Sequence, residues 1–211
     1  MIGVQAIFII KPILKSDESW FRQTQTTMNR ILLLSALCAL LSPLSHAQTF
    51  LTQTGETSFF SETPVENISA TNKKVRSALN PATGDVAVTM QMTDFQFPNK
   101  LMQEHFNENY VESEKYPTAT FRGKLVEPVD FTKAGTYDVS AKGNFTLHGV
   151  ARERTLTGKL TVEPGQKLTL ACDFTVALKD HDIDVPKLVF VKVAQVISVK
   201  NRYVYAPFTK Q

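Results

Sequence analysis

The chain has 211 residues, room for one domain and a processed leader, and its 43% hydrophobic and 20% charged residues are those of an ordinary soluble globular protein. Its 23 Lys and Arg stand against 20 Asp and Glu, a net charge of +3 with the signs interspersed, which excludes a basic stripe for nucleic acid or an anionic membrane surface. Of the two cysteines, Cys38 falls in the predicted leader, so Cys172 is the single thiol of the remaining chain and an intrachain disulfide is excluded.

Residues 1–27 show neither sustained periodicity nor a targeting pattern, and they read as an upstream extension ahead of a true start at Met28. From there Met28-Asn29-Arg30 supplies a positive start, Ile31 to Leu41 an apolar run, and Ser45 and Ala47 the small residues of a cleavage site. This pattern predicts a signal peptide over 28–47, cleavage before Gln48 and a periplasmic or secreted domain over 48–211. The apolar run is too short to span a bilayer, so no transmembrane span is expected.

Thr57 to Ser61 and Ile68 to Leu79 are weak strand candidates, whereas from Gly84 onward period-two patterning recurs in one segment after another. Val86, Val88, Met90 and Met92 form one row. Between Asn99 and Tyr110 the pattern changes to a helix, with Asn99 as its N-cap and Leu101, Met102, His105 and Phe106 on one face. Phe121, Gly123 and Leu125 resume the alternation. Tyr137, Val139, Ala141, Gly143, Phe145 and Leu147 lead into a His148-Gly149 turn, from which Leu156, Gly158, Leu160 and Val162 return. After Pro164-Gly165 come Leu168, Leu170, Cys172, Phe174, Val176 and Leu178, and then a last row from Val189 through Val191, Val193, Ile197 and Val199 to Tyr203. Eight short antiparallel strands with one apolar face each predict an all-β closed barrel or sandwich.

Chemistry-bearing residues are sparse. His105, His148, His181 and Cys172 match no metal-ligand spacing. Asp180-His181-Asp182-Ile183-Asp184 opens like a calcium loop but has Val185 where Gly is required and Val191 where Glu is required. There is no Gly-x-Ser-x-Gly elbow, and Cys172 has inward parity between Leu170 and Phe174. The expectation is therefore no catalytic residue, no metal and no cofactor.

The inward rows are more informative. They mix large apolar residues with glycines, and small inward residues either leave space for a ligand or mark bends in the wall. A cavity with such a lining would take a ligand that is apolar over most of its length, held by Val88, Met90, Leu101, Phe106, Phe121, Phe145, Leu170 and Phe174, with Gly143 and Gly158 leaving room. The competing readings are a cell-envelope interaction protein with a packed barrel and an enzyme that uses one of the histidines. The expected state is a monomer or a homodimer.

Three stretches carry a resemblance to a known family: LMQEHFNENYVESEKYP from Leu101 followed by TATFRGKL, then GNFTLHGVARERTLTGKLTV, and the closing FTVALKDHDIDVPKLVFVKVAQVISV. The helix, the Lys115-Tyr116-Pro117 break, the Leu147-His148-Gly149 turn and the acidic loop occur in order, and over about Thr57 to Val199 the chain resembles the YceI-like family. That resemblance implies an eight-stranded antiparallel lipocalin-like barrel with one short helix near residues 99–110, carrying a polyisoprenoid such as a prenyl phosphate or a quinone tail. Arg122 and Lys124 have outward parity, so no phosphate clamp is expected.

Overall fold

The computed structural model describes residues 48–62, 67–165, 167–184 and 194–208. The expected extension over 1–27, the signal peptide over 28–47 and the row members Val189, Val191 and Val193 lie outside the described residues.

Eight strands follow one another: β1 (Phe50–Ser61), β2 (Ile68–Leu79), β3 (Asp85–Gln91), β4 (Thr118–Leu125), β5 (Gly135–Leu147), β6 (Val150–Glu163), β7 (Lys167–Ala177) and β8 (Val196–Pro207). Each pairs antiparallel with the next, and β1 also pairs with β8. The sheet closes on itself, so it needs no device to protect an open edge. Between β3 and β4 lies α1 (Lys100–His105), continued by a π-helical turn over Phe106–Tyr110. Asn99 caps it as expected, its side-chain oxygen accepting from the Leu101 amide at 2.9 Å.

Local chemistry accounts for most boundaries. His148 and Gly149 have φ of 52° and 74°, the two consecutive positive values that a two-residue hairpin turn needs to match the twist of its strands. Leu147 pairs directly with Val150 across it. The inward rows expected for β3, β5 and β7 bury Val86, Val88, Met90, Val139, Phe145, Leu147, Leu168 and Val176.

β1 and β2 hide their pattern from a period-two reading. The buried positions of β1 are Phe50 and Thr52, then Gly55, Thr57 and Ser61, an even-to-odd change of parity. Register shifts between Thr52 and Thr57 produce it, and β2 answers with Asn72 and then Val75 inward. β1 therefore begins at Phe50 rather than at Thr57. A Cβ on Gly55 would lie 2.6 Å from the Tyr203 ring, so glycine is what lets that ring cross the bulge.

The two ends of the interior differ. At the end where β1 begins and β8 finishes, Leu79, Leu160, Leu168 and Tyr205 are fully buried, and the Tyr205 hydroxyl shares a 2.8 Å hydrogen bond with Ser77. That end is solid. Toward the opposite end the wall is looser, because β6 and β7 pair only over Lys159–Glu163 against Lys167–Ala171. Beyond that ladder side chains take over: Arg154 Nη2 donates to the Thr175 carbonyl at 3.0 Å and Arg152 Nε to the Asp180 carbonyl at 2.7 Å.

Candidate ligand-binding site

Under α1, at the looser end, lies a cavity of about 300 Å³. Its walls come from every strand but β6, among them Phe59 of β1, Met90 of β3, Phe145 of β5, Phe174 and Val176 of β7, and Ile197 and Val199 of β8. Leu101, Met102, His105 and Phe106 close it from the helix, the same four residues that sequence periodicity places on one face. The roof is anchored by aromatic contacts. The Phe106 ring stacks on Phe59 at 5.5 Å and meets Phe97 at 5.0 Å and Phe95 at 5.7 Å.

Polar atoms are few here. Among the described lining residues only Thr57, Ser61, Asn99, His105 and Tyr110 carry side-chain nitrogen or oxygen, and three of them are already engaged, Asn99 as the helix cap. The Thr57 and Tyr203 hydroxyls both donate to Asn201 Oδ1 at 2.8 Å, while Asn201 Nδ2 donates to the Cys172 carbonyl at 3.0 Å. Ser61 Oγ accepts from the Ala194 amide at 3.1 Å. Burial pushes the Tyr203, Tyr205 and Tyr110 hydroxyls above their ordinary values, so these groups stay neutral.

A second, inner chamber of about 60 Å³ is lined by Val88, Phe121, Gly158, Leu170, Cys172 and Tyr203, among others. Cys172 is half-buried, and burial, with a smaller push from the Asp173 charge, raises its thiol to about 11. It is a weak nucleophile at neutral pH.

The predicted lining residues divide cleanly. Leu101 and Phe106 face the outer cavity; Val88, Phe121, Gly158 and Leu170 face the inner chamber; Met90, Phe145 and Phe174 face both. Gly143 faces neither, and the expectation that it leaves room for a ligand is corrected: a Cβ there would fall against the Arg122 carbonyl and the Gly123 Cα on β4. It is glycine because two backbones approach closely. Gly158 belongs partly to the same class, since its Cβ would lie 2.5 Å from the Ala171 carbonyl at the end of the β6–β7 ladder.

Sequence reasoning missed Phe59, Phe95 and Phe97. The signal was present in Ser58-Phe59-Phe60 and in Phe95-Gln96-Phe97-Pro98, where two aromatics alternate just ahead of the helix.

The histidines do different work. His105 lines the cavity. His148 is clasped between Glu112, 2.8 Å from its Nε2, and the His181 carbonyl, 3.1 Å from its Nδ1, with Tyr116 edge-on at 4.3 Å. His181 is buried, its Nδ1 donating to the Val150 carbonyl at 3.1 Å and its ring edge-on to Phe145. Burial lowers its pKa. Instead of a wholly solvated acidic turn, the Asp180–Asp184 segment points its aspartates out and buries His181 and Ile183.

Similarity to known proteins agrees with this architecture. No curated relative matches the chain. Among solved structures, a polyisoprenoid binding domain from Saccharophagus degradans implicated in plant cell wall breakdown aligns with a TM-score of 0.65 and 12% identity, covering 75% of this chain and 98% of that one. BcnA of Burkholderia cenocepacia aligns with a TM-score of 0.59 and 17% identity over 72% and 96% of the two chains. A YCEI protein of Campylobacter jejuni gives 0.54 and 15% over 71% and 90%. At these identities the likeness is one of fold. The YceI-like domain model, in contrast, matches the sequence itself over residues 44–204, and with the closed eight-stranded barrel and its single inserted helix this places the chain in the YceI-like family.

Proposed function

We propose that this protein is an exported carrier of a long apolar molecule, a polyisoprenoid such as a prenyl phosphate or a quinone tail, with the chain held in the outer cavity. One observation carries the reading: a closed barrel keeps about 300 Å³ of space lined almost wholly by Phe, Met, Leu, Ile and Val. A well-packed interior leaves few voids larger than a water molecule, and an apolar void of this size costs stability unless something fills it. Each methylene transferred from water into such a lining contributes about 0.8 kcal/mol, so a few isoprene units offset the several kcal/mol lost on association. No polar contact is needed for affinity. The binding of polyisoprenoid by the Saccharophagus degradans domain supports the choice of ligand class, and the signal-like segment over 28–47 supports export.

No step of this function calls on catalysis. The protein, purified gently from its own cells, is expected to release an isoprenoid on solvent extraction followed by mass analysis, and native mass spectrometry is expected to show the matching adduct. Apo mass alone, together with failure of an apolar fluorescent dye to enter, would overturn the proposal.

A further inference from the structure

Met90, Phe145 and Phe174 line both the outer cavity and the inner chamber, so they are the wall between the two. The Phe145 and Phe174 rings meet edge to face, with centroids 5.7 Å apart and planes at 79°.

The two leaves of this wall are held differently. Phe145 is buried on a strand paired on both sides, opposite Phe121 of β4 and Arg152 of β6, and the His181 ring backs it at 5.2 Å. Phe174 is half-buried and pairs with Val199 of β8 on one side only, because the β6–β7 ladder ends at Ala171. On its open side it meets the Arg154 guanidinium, 5.9 Å from the ring centroid. Phe145 is therefore fixed, and Phe174 is the leaf that can turn into the unpaired stretch between β6 and β7.

Volume sets the scale. An apolar cavity of about 150 Å³ holds one benzene ring, so the outer cavity, about 300 Å³, takes roughly a dozen carbons. That is two to three isoprene units. The inner chamber adds about 60 Å³, and from the outer cavity a chain meets the Phe145 and Phe174 rings before it.

We infer that the Phe145–Phe174 partition sets the length of chain the barrel shelters: about a dozen carbons lie in front of it, and a longer chain goes deeper only when Phe174 swings aside. This rests on the outer cavity being the lipid site. Carbons beyond the sheltered length stay in water and add nothing to affinity, whereas each additional buried methylene tightens binding roughly fourfold.

The test is a competition of prenyl alcohols with two, three and four isoprene units against an environment-sensitive apolar dye. For the wild type, affinity is expected to rise from geraniol to farnesol and to level off between farnesol and geranylgeraniol. Phe174→Ala is expected to remove the plateau, tightening geranylgeraniol by roughly tenfold or more relative to farnesol. Phe174→Leu, which keeps more of the packing, is expected to shift the same way and serves if the alanine variant does not fold. A wild type whose affinity climbs equally at every step, or folded variants that level off where the wild type does, would overturn the partition and leave the lipid site standing. Failure of the dye to enter, with no alcohol binding, would overturn both.

Discussion

Gly143 shows why small inward residues are ambiguous in a sequence. Parity places it on the inner face correctly, but parity says nothing of how near the next strand's backbone runs, and here the Arg122 carbonyl occupies the place of a side chain. Gly143→Ala is therefore expected to lower stability by about 1–3 kcal/mol, read as a shift in the urea midpoint, while ligand uptake by the folded fraction stays unchanged. His181 makes a second case. It reads as one residue of an acidic loop, yet its buried ring has a pKa below the ordinary 6.5, chiefly because burial penalises the charged form. The unfolded chain then binds more protons than the folded one as pH falls past 6.5, so this contribution is fully present above that value and is lost toward the lower folded pKa. Urea titrations at pH 7.5 and pH 5 are expected to show a smaller acid loss for His181→Gln than for the wild type. An equal loss would mean that the carboxylates alone account for it.

At the scale of elements, strands that keep one parity throughout were legible and bulged ones were not. β3, β5 and β7 keep one parity along their length and β6 does so from Arg154 onward, so their inward rows and the His148-Gly149 turn follow from residue order. β1 and β2 change parity midway, and a bulge arises from pairing between strands, which a single chain's alternation does not display. The helix was legible from its cap and its 3.6-residue face, but its anchoring was not, since Phe59 comes from β1 and Phe95 and Phe97 are set by a segment that bridges to β2 at Thr71–Gln96. That cluster makes α1 the element coupled to the cavity. Phe106→Ala is expected to weaken apolar-dye binding about tenfold and to speed hydrogen exchange over residues 100–110, while exchange in the β5–β6 hairpin is unaffected. Faster exchange across the whole barrel, or no change in binding, would contradict a roof held by this ring.

At the scale of the molecule, closure removes the edges but does not make the wall uniform. From Ala171 to the β7 end, contact with β6 passes through side chains: Arg154 to the Thr175 carbonyl and Arg152 to the Asp180 carbonyl. Cys172 stands where the ladder stops, facing the inner chamber, and so reports on this seam. With its thiol raised to about 11, only about one molecule in a thousand carries the thiolate at pH 8, and the wild type is expected to react slowly with a small disulfide reagent. Replacing both arginines by glutamine shortens the reach to those carbonyls and removes the charge, yet leaves every backbone ladder intact. The double variant is expected to unfold at nearly the same urea concentration but to label at Cys172 several times faster, because the seam opens without global unfolding. Farnesol, which stays in front of Phe174, is expected to leave the wild-type labelling rate at Cys172 unchanged. Equal labelling rates for wild type and variant would instead assign closure of the seam to packing among Phe145, Phe174 and Leu156, with the arginines as surface decoration.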